Sequence, residues 1–189
     1  QRQMCIRDRG TTKEVSNPNT LDSKNTVIRT AAMDCYILPC EYMGFSTTSI
    51  ASSDTFAALQ TGVVEGLAGS TPAGAYLNYR DIIDYYYVYQ MSPEVTQIMI
   101  SEKTLAKLSP EDQKTIVDIC RQECANSVNY AKEEDEKYLK LMEDNDIKIV
   151  RFSDEEIEMF AEAVRTDVWP KLAKTYGEDF INELLKLYK

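Results

Sequence analysis

No histidine occurs among the 189 residues. That absence excludes Ser/His and Cys/His nucleophilic catalysis, imidazole-bearing zinc sites and imidazole pH switches. Basic residues are also scarce: 21 lysines and arginines stand against 31 aspartates and glutamates, a formal net charge of −10. Nucleic acids and anionic membrane surfaces are both held by basic side chains, so this balance argues against either partner. Long hydrophobic runs are missing too. The longest, Tyr85-Tyr86-Tyr87-Val88-Tyr89, falls far short of the roughly 20 residues of a spanning helix, so no direct membrane insertion is expected. The five cysteines include no C-x-x-C pair, and an odd count cannot complete a disulfide framework. Cys120 and Cys124, one helical turn apart, read as small buried hydrophobes, and Cys35 and Cys40 match no zinc spacing. No glycine-rich phosphate loop and no nucleophile–base arrangement is found, so no catalytic residue, metal or cofactor is expected.

What is present suffices for a packed core, with 43% hydrophobic and 28% charged residues. Residues 1–9 differ from the rest. They hold three of the basic residues, Arg2, Arg7 and Arg9, and no apolar h-region of a secretory signal. The string from Met4 to Arg9 resembles translated sequencing-adapter read-through. Residues 1–9 are therefore expected to be a non-native leader that packs against nothing, with 10–189 as the folded part, the back portion of a longer protein.

Hydrophobic spacing predicts strands alternating with helices, an α/β class with a helical tail. Residues 10–25 are polar, with Asn17-Pro18-Asn19 as turn chemistry, and read as a surface connection. Val27-Ile28-Arg29-Thr30 reads as a short buried strand, 31–43 as a helix containing Pro39, and 45–50 as a strand. Ser53 is the expected cap of a helix over 54–61 that buries Phe56, Ala57 and Leu59. A strand begins at Val63-Val64, and Thr71-Pro72 open a helix reaching Arg80. Residues 82–90 and 95–101 are apolar, aromatic and β-branched, and both read as strands. In the first, alternation separates Tyr86 from Tyr85 and Tyr87.

Ser101 caps a short helix over 102–107. Ser109-Pro110-Glu111-Asp112 then opens a helix with no breaker before about Asn145. Its apolar ladder runs through Ile116, Cys120, Cys124, Val128, Ala131, Tyr138 and Met142. At 1.5 Å per residue it spans roughly 54 Å, more than the diameter of a globule of this size, so it is expected to bridge two packing units. The acidic run Glu133-Glu134-Asp135-Glu136 reads as a solvated face. Residues 147–152 read as a strand and Ser153-Asp154-Glu155-Glu156 as a capping box. Trp169-Pro170 should break the following helix, and Gly177 precedes a last one.

Three motifs carry a resemblance. Ala58-Leu59-Gln60-Thr61-Gly62-Val63-Val64-Glu65-Gly66 resembles the A-L-Q-T-G-V-V-D-G signature of the solute-binding proteins of tripartite ATP-independent periplasmic (TRAP) transporters. Val27-Ile28-Arg29-Thr30 is similar to that family's K-[IL]-R-[VT] strand, whose arginine meets the substrate carboxylate, and it fits the spacing to Gln60 without a gap. Leu108-Ser109-Pro110-Glu111-Asp112-Gln113-Lys114 resembles the L-[SP]-x-E-x-Q-K opening of a long helix. The resemblance covers 10–189 and leaves out the N-terminal part of a member, including most of the first lobe.

It implies a two-lobed, periplasmic-binding-protein-like α/β architecture, here partial, with a long bridging helix and a helical C-terminus. It also implies an extracytoplasmic or periplasmic solute-binding protein, not an enzyme, that captures a small organic acid and delivers it to TRAP permease subunits in the membrane. A sensor receptor of the same fold and a histidine-independent enzyme are the alternatives. Arg29 is the implied carboxylate clamp, and its planar fork suits bidentate recognition; an internal acid is the competing partner. Ser52 stands where the family often has an aromatic in its P-[FY]-[SG]-E segment. Leu67-Ala68-Gly69-Ser70 replaces Q-E-N-P, which puts Gly69 at the substrate-contacting asparagine and leaves Ser70 and Thr71 as replacement donors. Met91 stands where a histidine is often found after the next strand. The upstream G-x-R element reads as Gly10-Thr11-Thr12, so a second arginine is expected to be absent.

Overall fold

β-Branched and aromatic runs build one six-stranded sheet in the computed structural model, which describes residues 6–93 and 97–188. The strands are β1 (Ile6–Thr11), β2 (Val27–Thr30), β3 (Ser46–Ser49), β4 (Gly66–Ser70), β5 (Tyr85–Pro93) and β6 (Lys148–Arg151), in the order β3-β2-β4-β1-β5-β6. β2 runs parallel to β3 and β4, β5 runs parallel to β6, and β1 is antiparallel to both its neighbours. Only β1 is reversed. The helices are α1 (Asp34–Tyr42), α2 (Thr55–Gln60), α3 (Pro72–Tyr79), α4 (Glu102–Leu105), α5 (Pro110–Glu143), α6 (Asp154–Asp167), α7 (Trp169–Tyr176) and α8 (Glu178–Lys186).

Alternation along the strands divides the core in two. On one face Leu67, Ile83 and Tyr86 pack with Ala58 and Leu59 of α2, Ala75 of α3, and Leu139 and Met142 of α5. On the other, Ile28, Ala68, Tyr87 and Tyr89 pack with Cys40, Met43, Phe45 and Phe160 of α6. The sheet thus lies between two helical layers, the mixed α/β class expected. At Gly66 a Cβ would stand 2.7 Å from the Gly10 carbonyl oxygen, so β4 approaches β1 closely only because that position has no side chain.

The tyrosine run divides as alternation requires. Tyr85, Tyr87 and Tyr89 stack in series at 6.2 and 6.0 Å between ring centroids, and Tyr86 faces the other core. Tyr89 donates through its hydroxyl to the Pro18 carbonyl at 2.7 Å, and Tyr87 accepts from the Val15 backbone N–H at 2.8 Å. These bonds pin part of the 12–26 connection to the sheet. Val15, Lys24 and Thr26 are buried there, more than a surface connection implies. Lys24 donates through Nζ to the carbonyls of Thr20 and Asp22, and burial lowers its pKa to about 8.

Local capping chemistry holds where the sequence places it. Thr71, Ser101, Ser109 and Ser153 each accept a backbone N–H at the start of α3, α4, α5 and α6, and Ser153 with Glu156 completes a capping box. The chain breaks at Val168 between α6 and α7, next to Trp169-Pro170. α5 is continuous for 34 residues.

Several expectations are corrected. Residues 6–9 belong to the central strand β1, with Asp8 and Arg9 buried, so they are not an unpacked leader; residues 1–5 lie outside the described residues. A 3-10 turn at Ser52–Asp54 takes up the expected start of the helix over 54–61. α2 therefore begins at Thr55 and buries Thr55, Ala58 and Leu59, at the i, i+3, i+4 spacing of one helical face, while Phe56 and Ala57 are exposed. The expected strand over 95–101 is not formed at 97–100, where Ile98, Met99 and Ile100 are exposed; 95 and 96 lie outside the described residues. Cys124 is exposed and Cys120 half-buried, because α5 packs on α3 and β6 through its C-terminal half only. The C-terminal half of α5 packs with α3 and β6, and α5 is the long helix expected.

Candidate ligand-binding site

Reversal of β1 brings its first residues to the edge where the other five strands end, so Arg7 lies opposite Ser92 and Asp8 opposite Ser70. The edge is irregular. Pairing between β1 and β5 slips from Arg7↔Ser92 to Arg9↔Tyr87, which leaves residues 88–91 of β5 across from Asp8 alone. Gln90 takes a left-handed φ of 54° in this bulge. Backbone N–H groups of Tyr89, Gln90 and Met91 lie toward the Asp8 carboxylate and favour its charged form. Burial nonetheless outweighs these donors and the neighbouring Arg9, and pushes the Asp8 pKa up to about 7.

Arg9 has no exposed surface. Its guanidinium lies 4.8 Å from the Phe45 ring centroid and 4.9 Å from that of Tyr89. Nη2 reaches the Cys40 and Met43 sulfurs at 3.4 Å each, both weak acceptors, while Nε and Nη1 make no hydrogen bond. Oδ1 of Asp8 is likewise buried without a partner.

Arg9 and Asp8 line a cavity of about 540 Å³ between the end of β1, the ends of β4 and β5, and helices α1, α6 and α7. Its wall is apolar at Met43, Phe160, Val164, Trp169 and Leu172. Two more arginines line it, and both are engaged. Arg165 donates to Glu158 at 2.7 Å and to Glu162 at 3.3 Å, and its guanidinium sits 4.7 Å from the Tyr188 ring centroid. Arg7 donates to the Tyr36 hydroxyl at 3.0 Å.

Of the residues expected at the site, the structure brings Gly69 and Met91 to this cavity. Gly69 has a φ of 86°, and a Cβ there would meet the Tyr36 ring at 3.5 Å, so the asparagine-to-glycine departure coincides with a left-handed backbone against a ring. Arg29, Ser52, Ser70 and Thr71 do not line it. Arg29 lies on the opposite face of the sheet, shared with Val27, where its Nε donates to the Ile50 carbonyl at 2.7 Å. Ser52 is exposed in the turn after β3. Ser70 receives the Tyr86 hydroxyl on its carbonyl, and Thr71 accepts the Gly74 N–H as the α3 cap. All four stand at or near the carboxyl ends of β2, β3 and β4. The arginine expected to be absent beside Gly10 is met by Arg9, one residue earlier. Its signal in the sequence is only the alternation Arg7-Asp8-Arg9.

The model of the family of bacterial extracellular solute-binding proteins, family 7, matches residues 6–175. No curated protein matches the chain. Among solved structures, a TRAP periplasmic solute-binding protein from Escherichia fergusonii is 22% identical with a TM-score of 0.76 over 96% of this chain and 60% of its own. One from Shewanella oneidensis with bound succinate is 18% identical, with a TM-score of 0.75 over 97% of this chain and 60% of its own. Another, from Desulfovibrio salexigens with bound orotic acid, is 15% identical, with a TM-score of 0.78 over 97% of this chain and 58% of its own. These likenesses concern the fold, and the chain spans about three-fifths of each of those proteins. With the family match running through nearly all its strands and helices, the chain belongs to bacterial extracellular solute-binding protein family 7, the solute-binding proteins of TRAP transporters.

Proposed function

We propose that the protein is the extracytoplasmic receptor of a TRAP-type transporter and binds a small organic carboxylate in the cavity lined by Arg9. The observation that carries this reading is the Arg9 side chain, fully buried, with two nitrogens unpaired and only sulfur atoms near the third. A buried cation with unmet donors is costly, and a carboxylate is the partner its planar fork fits. The solved structures of similar fold with bound succinate and orotic acid hold ligands of that chemistry. Delivery to permease subunits follows from the family. The exposed apolar stretch Ile98, Met99 and Ile100, with Ile119 on α5, offers a surface on which the remainder of a longer, two-lobed protein would pack. A sensor receptor of the same fold would bind its ligand identically, and among the described residues no arrangement favours a histidine-independent enzyme.

A second reading keeps Arg29 as the clamp. Its bond to Ile50 holds the guanidinium at the carboxyl ends of β2 and β3, the edge at which open α/β sheets place ligands. Ser52, Ser70 and Thr71 share that edge. Calorimetric titration of one carboxylate panel against wild type, Arg9→Lys and Arg29→Lys separates the two. Lysine keeps the charge and loses the fork, so affinity should fall about ten- to a hundredfold in the variant whose arginine holds the ligand. Equal affinity in all three proteins would refute both readings.

A further inference from the structure

Resting on the carboxylate reading of the cavity, we infer that its ligand is amphoteric: an α-amino acid with an apolar side chain, its carboxylate on Arg9 and its ammonium on Asp8. Three observations converge on this class. Both unsatisfied groups, Nε and Nη1 of Arg9 and Oδ1 of Asp8, belong to adjacent residues that line the same cavity. They carry opposite formal charges, yet neither uses those atoms to satisfy the other. A plain carboxylate would answer Arg9 and leave a buried carboxyl oxygen beside it unmet, at the cost any orphaned buried acceptor carries.

Arg7 and Arg165 do not supply what Asp8 lacks, since they are engaged by Tyr36 and by Glu158 and Glu162. Asp8 is buried beside the bulge, with the backbone N–H groups of Tyr89, Gln90 and Met91 toward its carboxyl, so it is a placed acceptor and not a mobile surface side chain. The rest of the wall sets the third property. Met43, Phe160, Val164, Trp169 and Leu172 surround the space beyond the two charges, and about 540 Å³ accommodates an amino acid with a large apolar side chain. Both charged groups are shielded from water, and the acceptors near Arg9 Nη2 are the Cys40 and Met43 sulfurs. A carboxylate is a far stronger acceptor than either sulfur.

Matched pairs that differ only by the amino group test this on the wild-type protein. Phenylalanine is compared with 3-phenylpropanoate and phenethylamine, and leucine with 4-methylpentanoate, by thermal shift and then calorimetric titration. The expected result is that the amino acid binds about ten- to a hundredfold more tightly than its deaminated acid, and that the amine alone does not bind. In Asp8→Asn the preference of amino acid over acid should collapse, whatever the absolute affinities. If the deaminated acids bind as well as the amino acids, the amphoteric ligand is refuted and the carboxylate site stands. If no acid or amino acid binds, while the protein melts cooperatively, the carboxylate reading of the cavity falls with it.

Discussion

Replacing Arg9 with methionine should stabilise the unliganded protein while abolishing its binding of carboxylates. Methionine keeps the length and the contact with Phe45, Tyr89, Cys40 and Met43, and removes the charge. Against the loss stand two cation–π contacts at 4.8 and 4.9 Å, worth up to about 2 kcal/mol each when desolvated. Two sulfur contacts at 3.4 Å are lost as well, both weak. On the other side, two orphaned donors are relieved at roughly 1–3 kcal/mol each, together with a desolvation penalty of several kcal/mol for the buried ion. The relief, less the lost attraction between Arg9 and the neighbouring Asp8 carboxylate, wins by roughly 1–3 kcal/mol, which in a chain of this size is about 2–4 °C of melting temperature per kcal/mol. Differential scanning calorimetry of wild type and Arg9→Met without ligand, beside titration with the carboxylate panel, measures both halves. A melting temperature lowered by several degrees, with binding unchanged, would show that Arg9 is a structural residue and would overturn the site.

Asp8 gives a pH signature. Its folded pKa of about 7 lies above its ordinary value of 3.8, so the folded state holds the proton longer than the unfolded one. Stability should therefore fall as pH rises from about 4 to 7 and level off above that; Asp8→Asn should flatten this slope, as melting curves across pH would show, with Arg9, Tyr86 and Tyr89 as the facing ionisable groups. Gly66→Ala drives a Cβ to within 2.7 Å of the Gly10 carbonyl in the sheet centre, an overpacking cost of roughly 1–3 kcal/mol that urea unfolding would register. Ser153→Ala removes the α6 cap and half of its capping box; a loss of about 1 kcal/mol is expected, and no effect on ligand titration.

Local signals made most of the fold legible. Helix starts were written in short range: Thr71-Pro72, Ser109-Pro110 and Ser153 with Glu156 each cap the helix they precede. The tyrosine alternation on β5 was equally readable, because period two is a property of the strand itself. Residues 95–101 illustrate the limit, since apolar composition specifies burial only when a partner strand exists, and 97–100 form none. Cys120 and Cys124 show the same limit on a helix whose N-terminal half has an apolar ladder without a covering layer.

Of the residues lining the cavity, Gly69 and Met91 were legible as candidates and Asp8 and Arg9 were not, and β1 explains why. Arg7-Asp8-Arg9-Gly10-Thr11 has no hydrophobic period, and isolated it reads as polar and unstructured. Pairing on both sides, with β4 and β5, makes it a central strand, and a central strand buries whatever side chains it carries. Charge at such positions disfavours folding, so the arrangement needs something beyond stability to account for it. A bulge that turns backbone N–H groups toward a buried carboxylate and leaves one of its oxygens bare, beside a guanidinium with two bare nitrogens, is incomplete on its own terms. The cavity those groups line, with its apolar far wall, is the space in which the proposed ligand would complete them. Composition and periodicity register what a chain buries for its own sake; the burial of Asp8 and Arg9 follows from pairing on both sides of β1, and only the paired strands bring it to view.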